Sequence, residues 1–296
     1  MKKTWAQSGK HEKHTKRTSA LFLTPSFLGV MTFFILPFIV VIVYSLVDNP
    51  INMDFNGLDN FIRVINNGAF KKAIANTLKF SVIAVPLAVV LSLLLAIVLE
   101  WKIPFRSQFR TFFLSPMMVP VASIVLIWQV LFHYNGAINE WLGVLGMDKI
   151  DWMKSDKAYI VVVVLFLWKN LGYNMILFMA ALSNIPEDLI EVARLEHANK
   201  WQIFYHIKLR YMSSTILFVT IMSLINSFKV FREIYLLTGD YPVDTIYMLQ
   251  HYMNNMFAKL DYQNLSAAAV LMSLFMIVII GIMFFIENYY GKDVEG

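Results

Sequence analysis

The sequence predicts an all-α polytopic membrane protein with six transmembrane helices. Three observations carry that expectation: 58% of its 296 residues are apolar, only 15% are charged, and six apolar stretches reach the length of a bilayer crossing. A soluble domain carries roughly 25% charged residues. With 15% aromatic residues and a mean hydropathy of +0.60, the chain has more apolar surface than it can turn inward. A water-soluble enzyme and a disordered chain are both excluded. The absence of cysteine removes disulfides, thiolate-bound zinc, iron–sulfur clusters and a thiol nucleophile.

The first stretch, 21–47, follows a basic segment in which Lys2, Lys3, Lys10, Lys13, Lys16 and Arg17 crowd into seventeen positions. Its apolar run is longer than the 7–15 residues of a cleaved signal. No small-x-small site ends it, so it is expected to be a retained anchor. The other stretches are 80–99, 111–132, 158–182, 211–231 and 265–286. Each must be helical, because an unpaired backbone group in hydrocarbon costs several kcal/mol and a helix satisfies nearly all of them internally. Pro25, Pro37, Pro86, Pro116 and Pro120 fall inside these runs. Lipid-embedded helices tolerate such kinks, which either shape a pathway or mark irregular packing.

Orientation follows from basic residues. The N-terminal tail, the links 100–110 and 183–210 and the end after Glu287 hold fourteen Lys and Arg, against eight in 48–78, 133–157 and 232–264. The positive-inside rule then puts both termini in the cytoplasm. The net charge of +5 reflects the basic tail rather than a nucleic-acid face. The expected organisation is a basic cytoplasmic tail at 1–20, a first helix with its outer loop at 21–72, a transmembrane domain at 73–287 and a short cytoplasmic tail at 288–296.

The inner link 183–210 is far longer than a turn between neighbouring helices requires. Ile185-Pro186-Glu187-Asp188 starts a helix: proline suits a first turn that lacks amide partners, and the two acids suit its positive end. Leu189, Val192 and Ala193 then share a face. After His197-Ala198-Asn199 the pattern resumes with Ile203, Phe204 and Ile207. Two short amphipathic helices are predicted across the cytoplasmic face. A segment resting on lipid headgroups calls for a basic polar face. This one balances four basic residues against Glu187, Asp188, Glu191 and Glu196, which favours a protein partner.

Glu191-Val192-Ala193, three residues, His197-Ala198 and then Ile207-Lys208-Leu209 resembles the coupling loop of binding-protein-dependent ABC importer permeases. That family's pattern is Glu-Ala-Ala, three residues, Gly, nine residues, Ile-x-Leu-Pro. The resemblance extends through Leu23-Thr24-Pro25-Ser26, Ala75-Asn76-Thr77-Leu78, Ser115-Pro116 with Val119-Pro120, and Asn139 with Leu142-Gly143. It continues through Ile150-Asp151-Trp152, Trp168-Lys169-Asn170-Leu171-Gly172-Tyr173-Asn174, Phe228-Lys229-Val230-Phe231 and Tyr235-Leu236-Leu237-Thr238-Gly239. The chain is similar to sugar permeases of the maltose and glycerol-3-phosphate type. It departs from them in having His197 for glycine, Arg210 for proline, Val192 for alanine, and Gly239-Asp240-Tyr241-Pro242 in place of a glycine-rich turn. Glycine allows a left-handed turn, which His enters only at a cost.

The resemblance implies a MetI-like ABC permease fold. It implies a heterodimer with a second permease, two separate ABC ATPase subunits, and an extracytoplasmic solute-binding protein docking on the outer loops. It implies no cofactor or metal. Glu191 would be the charged contact to the ATPase, with Arg194, Ala193, His197, Ala198, Ile207 and Leu209 completing the coupling loop. No Gly-x-x-x-x-Gly-Lys-Ser/Thr motif occurs, so the motor is expected to be another protein.

For the pathway, Lys169 and Lys229 are basic groups inside apolar runs, where ionisable residues default to function; snorkelling is the other reading for Lys169. Asn174, Asn226 and Ser227 suit sugar hydroxyls, and Trp128 suits the apolar face of a ring. Bonds between helices and interfacial anchoring explain the same residue types. His11-Glu12-Lys13-His14 lacks one residue of the zinc-protease spacing, and no Gly-x-Ser-x-Gly is present. The remaining alternative is an ion-gradient-driven carrier, which would show several intramembrane carboxylates; the predicted spans hold none away from their ends.

Overall fold

The computed structural model describes residues 21–100 and 104–290. The basic tail with His11 and His14, the link residues 101–103 and the end of the C-terminal tail at 291–296 lie outside the described residues. Among the described residues five helices are long and apolar enough to cross a membrane, and a pair of helices bent against each other makes a sixth crossing if the two count as one span. The chain divides into two compact units, residues 21–64 with Leu260–Ser273, and Ile65–Lys259 with Leu274 onward.

In the first unit, α1 (Leu21–Ser45) exposes nearly all its side chains. It widens to a π-helix at Met31–Ile35, where Leu36 N reaches back to Met31 O. Pro37 follows at once; its ring would meet the carbonyl four residues earlier in a regular α-helix, and the wider winding relieves that contact. Val47 and Phe55 then form an antiparallel bridge. The start of α2 (Asp59–Asn66) brings in a fully buried Asn60. Its amide donates to the carbonyls of Ser45 (3.0 Å) and Val47 (2.8 Å), satisfying acceptors that the end of α1 leaves open.

The second unit is built on α3 (Gly68–Glu100) and α7 (Ala158–Ser183). Between them in sequence come α4 (Arg106–Met118), α5 (Val121–Leu131) and α6 (Ala137–Val144). After α7 come α8 (Glu187–Leu195) and α9, a continuous rod of Lys200–Ile203, π-helical Phe204–Lys208 and Leu209–Tyr211. The chain then runs through α10 (Ser213–Phe228), α11 (Phe231–Thr238), α12 (Leu249–Ala258) and the final helix α13 (Tyr262–Tyr290). Small residues let α3 and α7 close on each other: Ala84, Ala88 and Ala158 are fully buried beside Phe80, Val162 and Phe166. A second cluster joins Ala96, Leu99, Phe178, Leu182 and Met212. Gly172 is the tightest approach, since a methyl group there would run into the Phe113 carbonyl of α4.

Three expected elements change. The second span starts at Gly68 rather than at 80, because the helix continues past its most apolar part. The expected single span 111–132 is two helices, α4 and α5, bent by 103° at Val119-Pro120. Pro120 is the residue before α5 in extended conformation, which its fixed φ allows, so this proline breaks the helix rather than kinking it. Finally, the fifth apolar helix continues through α11 to Thr238 and carries Glu233 into the apolar region. The expectation that no carboxylate lies inside a span is thereby corrected.

Candidate functional site

The first candidate site is the two-helix element α8–α9. His197 between its helices has φ of +62°, the left-handed conformation that the family's glycine favours. Two bonds define the turn: Ala198 N donates to Ala193 O (2.9 Å) and His197 N to Arg194 O (3.0 Å). This is a Schellman motif with His at the left-handed position, and it satisfies two carbonyls that would otherwise be open. Ala193 and Ala198 occupy the two positions whose side chains such a motif brings together. The rod α9 starts with a reciprocal cap, in which Asn199 Oδ1 accepts from Gln202 N (2.9 Å) and Gln202 Oε1 from Asn199 N (2.7 Å). That Asn-x-x-Gln spacing is legible in the sequence and marks the second helix start.

The element is two-sided. Ile185 and Ile203 are buried, and Ile190 and Ile207 pack against the cluster of Phe178, Leu182 and Met212. Leu209 is half-buried, whereas Glu191, Arg194 and His197 are exposed. So are Val192, Tyr205, Leu195 and Trp201, the last two at 80%. Lys208 points back to the end of α3, with Nζ 2.7 and 2.8 Å from the two Glu100 carboxylate oxygens.

The second candidate site is a cavity of about 690 Å3 beside the α4–α5 break, lined by Val119 and Val121 and by polar side chains of α7, α10 and α11. Asn170, Asn226 and Lys229 line it, along with Lys169, Arg232 and Glu233. Lys169 is ion-paired with the buried Glu233, 64 positions away. A buried charge without its partner costs several kcal/mol, so each of these two groups makes the other tolerable. Asn226 Nδ2 donates to Asn170 Oδ1 (2.8 Å) across α10 and α7.

The cavity does not bring together all the residues expected along a pathway. Asn226 and Lys229 face it. Asn174 is buried between helices with its amide on Ser223 Oγ (2.9 Å), and Ser227 is buried against Ser81 Oγ (2.7 Å). Trp128 is buried in the cluster of Ile124, Val161 and Leu165, stacked on Phe132 with ring centroids 5.1 Å apart. Sequence reasoning missed Glu233, Asn170 and Arg232; a charged pair placed one on each of two apolar helices is the signal that finds the first.

Polar side chains also hold the loops. Asn139 donates to the carbonyls of Tyr134 (2.9 Å) and Ile150 (2.8 Å) and accepts from Trp152 Nε1 (3.1 Å). Asn76 donates to the carbonyls of Asp244 (2.6 Å) and Tyr247 (3.0 Å), and Thr77 Oγ1 accepts from Leu249 N (2.9 Å). His251 is fully buried against Phe231, and burial lowers its pKa to about 4. Among the described residues no group of His, Asp or Glu is placed to hold a metal ion.

Residues 88–296 match the family model for the binding-protein-dependent transport system inner membrane component. The chain is 26% identical over 280 residues to the lactose transport system permease protein LacF of Rhizobium radiobacter, covering 92% of this chain and 93% of that protein. It is 28% identical over 275 residues to the sn-glycerol-3-phosphate transport system permease protein UgpA of Pectobacterium atrosepticum, covering 90% and 93%. Among solved structures it is similar to a chain of a bacterial ABC transporter involved in the import of the acidic polysaccharide alginate. There the TM-score is 0.81 at 20% identity, covering 97% of this chain and all of the other, a likeness of fold.

Proposed function

The chain belongs to the family of binding-protein-dependent transport system inner membrane components, and from that premise we propose that it is a permease subunit of an ATP-driven importer, forming half of the translocation pathway for a carbohydrate. It works beside a second permease, two ATPase subunits that grip α8 and α9, and an external solute-binding protein. Both termini and α8–α9 face the cytoplasm, in line with the excess of Lys and Arg in those segments. Carbohydrate as the solute is supported by relatives named for lactose and sn-glycerol-3-phosphate transport and by a fold shared with an alginate importer.

The observation that carries this reading is the two-sided α8–α9 element. Its inner side is packed among the spans by Ile185, Ile203 and Ile207. Its outer side exposes Glu191, Arg194, Leu195 and Trp201, a mixed apolar and charged surface suited to a protein socket. A rigid lever needs both: movement imposed on the outer face is passed through the inner contacts to α3, α7 and α10, which then rock between two accesses. Glu191, Ala193, Arg194, His197, Ala198, Ile207 and Leu209 make up the lever. Asn226 and Lys229 would contact the solute directly. Asn174, Ser227 and Trp128 would shape the walls behind them.

The test is to isolate the chain with its associated subunits and measure ATP hydrolysis in proteoliposomes. Co-isolation of an ATPase and a second permease, with hydrolysis stimulated by the loaded binding protein, is expected. Glu191→Lys should abolish that stimulation while the chain still inserts. Transport by this chain alone, without ATP, would overturn the reading.

A further inference from the structure

The cavity beside the α4–α5 break carries more positive than negative charge. Lys169, Lys229 and Arg232 line it with a single carboxylate, Glu233. Glu233 is already committed to Lys169. Lys229 and Arg232 have no side-chain partner among the described residues, and both are exposed to the cavity. Two cationic groups therefore face the space where a solute would sit, and no carboxylate among the described residues answers them.

The neutral hydrogen-bonding groups there are partly used up as well, since Asn226 and Asn170 are bonded to each other. The volume, about 690 Å3, falls within the ~300–1,000 Å3 of ordinary small-molecule sites. A solute that fills it displaces the water now solvating Lys229 and Arg232. A neutral sugar would leave both cations desolvated without a counter-charge, which penalises it. A solute with its own anionic oxygens supplies that counter-charge, and the planar guanidinium of Arg232 matches an oxyanion in two-point contact.

We infer that the carried solute is an anionic carbohydrate, whose carboxylate or phosphate oxygens are met by Lys229 and Arg232. This rests on the reading of the chain as a sugar-importer permease and narrows its substrate class. The Lys169–Glu233 pair is then a fixed internal wall, and Lys229 and Arg232 are the contacts that choose by charge.

The experiment uses the assembled importer with its binding protein in proteoliposomes, with stimulated ATP hydrolysis as the readout. The probes are maltotriose and cellotriose as neutral sugars, trigalacturonate and trimannuronate as carboxylated ones, and trehalose 6-phosphate as a phosphorylated one. Stimulation by an anionic probe, with the neutral pair silent, supports the inference; which anionic probe acts separates carboxylate from phosphate. Lys229→Met and Arg232→Gln should each raise the half-stimulating concentration of that probe about tenfold, the scale of one lost charged hydrogen bond, with Lys229→Arg staying near the parent. An unchanged concentration in both neutralised variants would overturn it. So would stimulation by neutral sugars alone, which would mean that an acid from another subunit answers the two cations; the importer reading would survive that result. Silence from every anionic probe in an importer that has co-isolated with its ATPases also counts against the inference. Failure of ATPases and a second permease to accompany the chain would instead overturn the underlying reading.

Discussion

Lys208 Nζ in the rod α9 sits 2.7 and 2.8 Å from the two carboxylate oxygens of Glu100, the last residue of α3. The pair ties the element between α7 and α10 to a helix 108 positions earlier. It is partly exposed, with side chains at 19% and 33%, so its share of overall stability is small, about 1 kcal/mol or less. Its value to a lever is positional. Lys208→Glu should leave the folded amount near normal and cut binding-protein-stimulated ATP hydrolysis several-fold. The double exchange Glu100→Lys with Lys208→Glu should regain much of it. Equal loss in single and double variants would show that the contact transmits nothing.

His197 holds a left-handed φ of +62°, which costs a residue with a Cβ ~1–2 kcal/mol relative to glycine. His197→Gly should therefore stabilise the turn by about 1 kcal/mol and keep or raise transport. His197→Val, whose branched carbon fits this conformation worst, should loosen α8 against α9. Amide exchange at Ala198 N, bonded to Ala193 O, reports both effects; a clear loss of transport in the glycine variant would give His197 a role of its own.

Gly172 lies against the Phe113 backbone, where a rigid carbonyl cannot swing aside as a side chain would. Gly172→Ala should force α4 and α7 apart and destabilise the unit by ~1–3 kcal/mol, the usual cost of overpacking. Thermal unfolding in detergent measures it. Gly143, with open space around the position of a Cβ, is the control: Gly143→Ala should shift nothing by that route.

His251 is buried neutral and accepts a bond from Met248 N at Nδ1 (3.1 Å). Its folded pKa, about 4, lies below the 6.5 of a free imidazole, so the unfolded segment takes up a proton that the folded one refuses. Stability is complete above pH 6.5 and falls as pH drops towards 4, by about 3 kcal/mol across the window. Hydrogen exchange in α12 should quicken over that range. In His251→Phe the dependence should flatten.

The spans were legible because hydropathy responds to lipid contact, which is a property of local composition. The start of α8 at Ile185-Pro186-Glu187-Asp188 and the turn at His197 were legible for a related reason: caps and turns are decided by residues within a few positions of one another. The 103° bend between α4 and α5 was not, since an apolar count carries no direction. Asn174 and Ser227 read as solute ligands in the sequence, yet each faces another helix, Asn174 meeting Ser223 and Ser227 meeting Ser81. A polar residue on an apolar helix has the same spelling whether it faces a cavity or a neighbour.

By itself, then, the sequence determined that this chain is helical, crosses a membrane repeatedly, and carries a paired-helix element whose motif resembles a coupling loop; each of these follows from short-range patterning. Only the tertiary structure decided which charges meet. Lys169 with Glu233, Lys208 with Glu100, and Lys229 and Arg232 without a counter-charge among the described residues are all products of how helices pack side by side. Packing joins residues tens to more than a hundred positions apart, and electrostatic energy depends on the distance in space, to which separation along the chain is no guide.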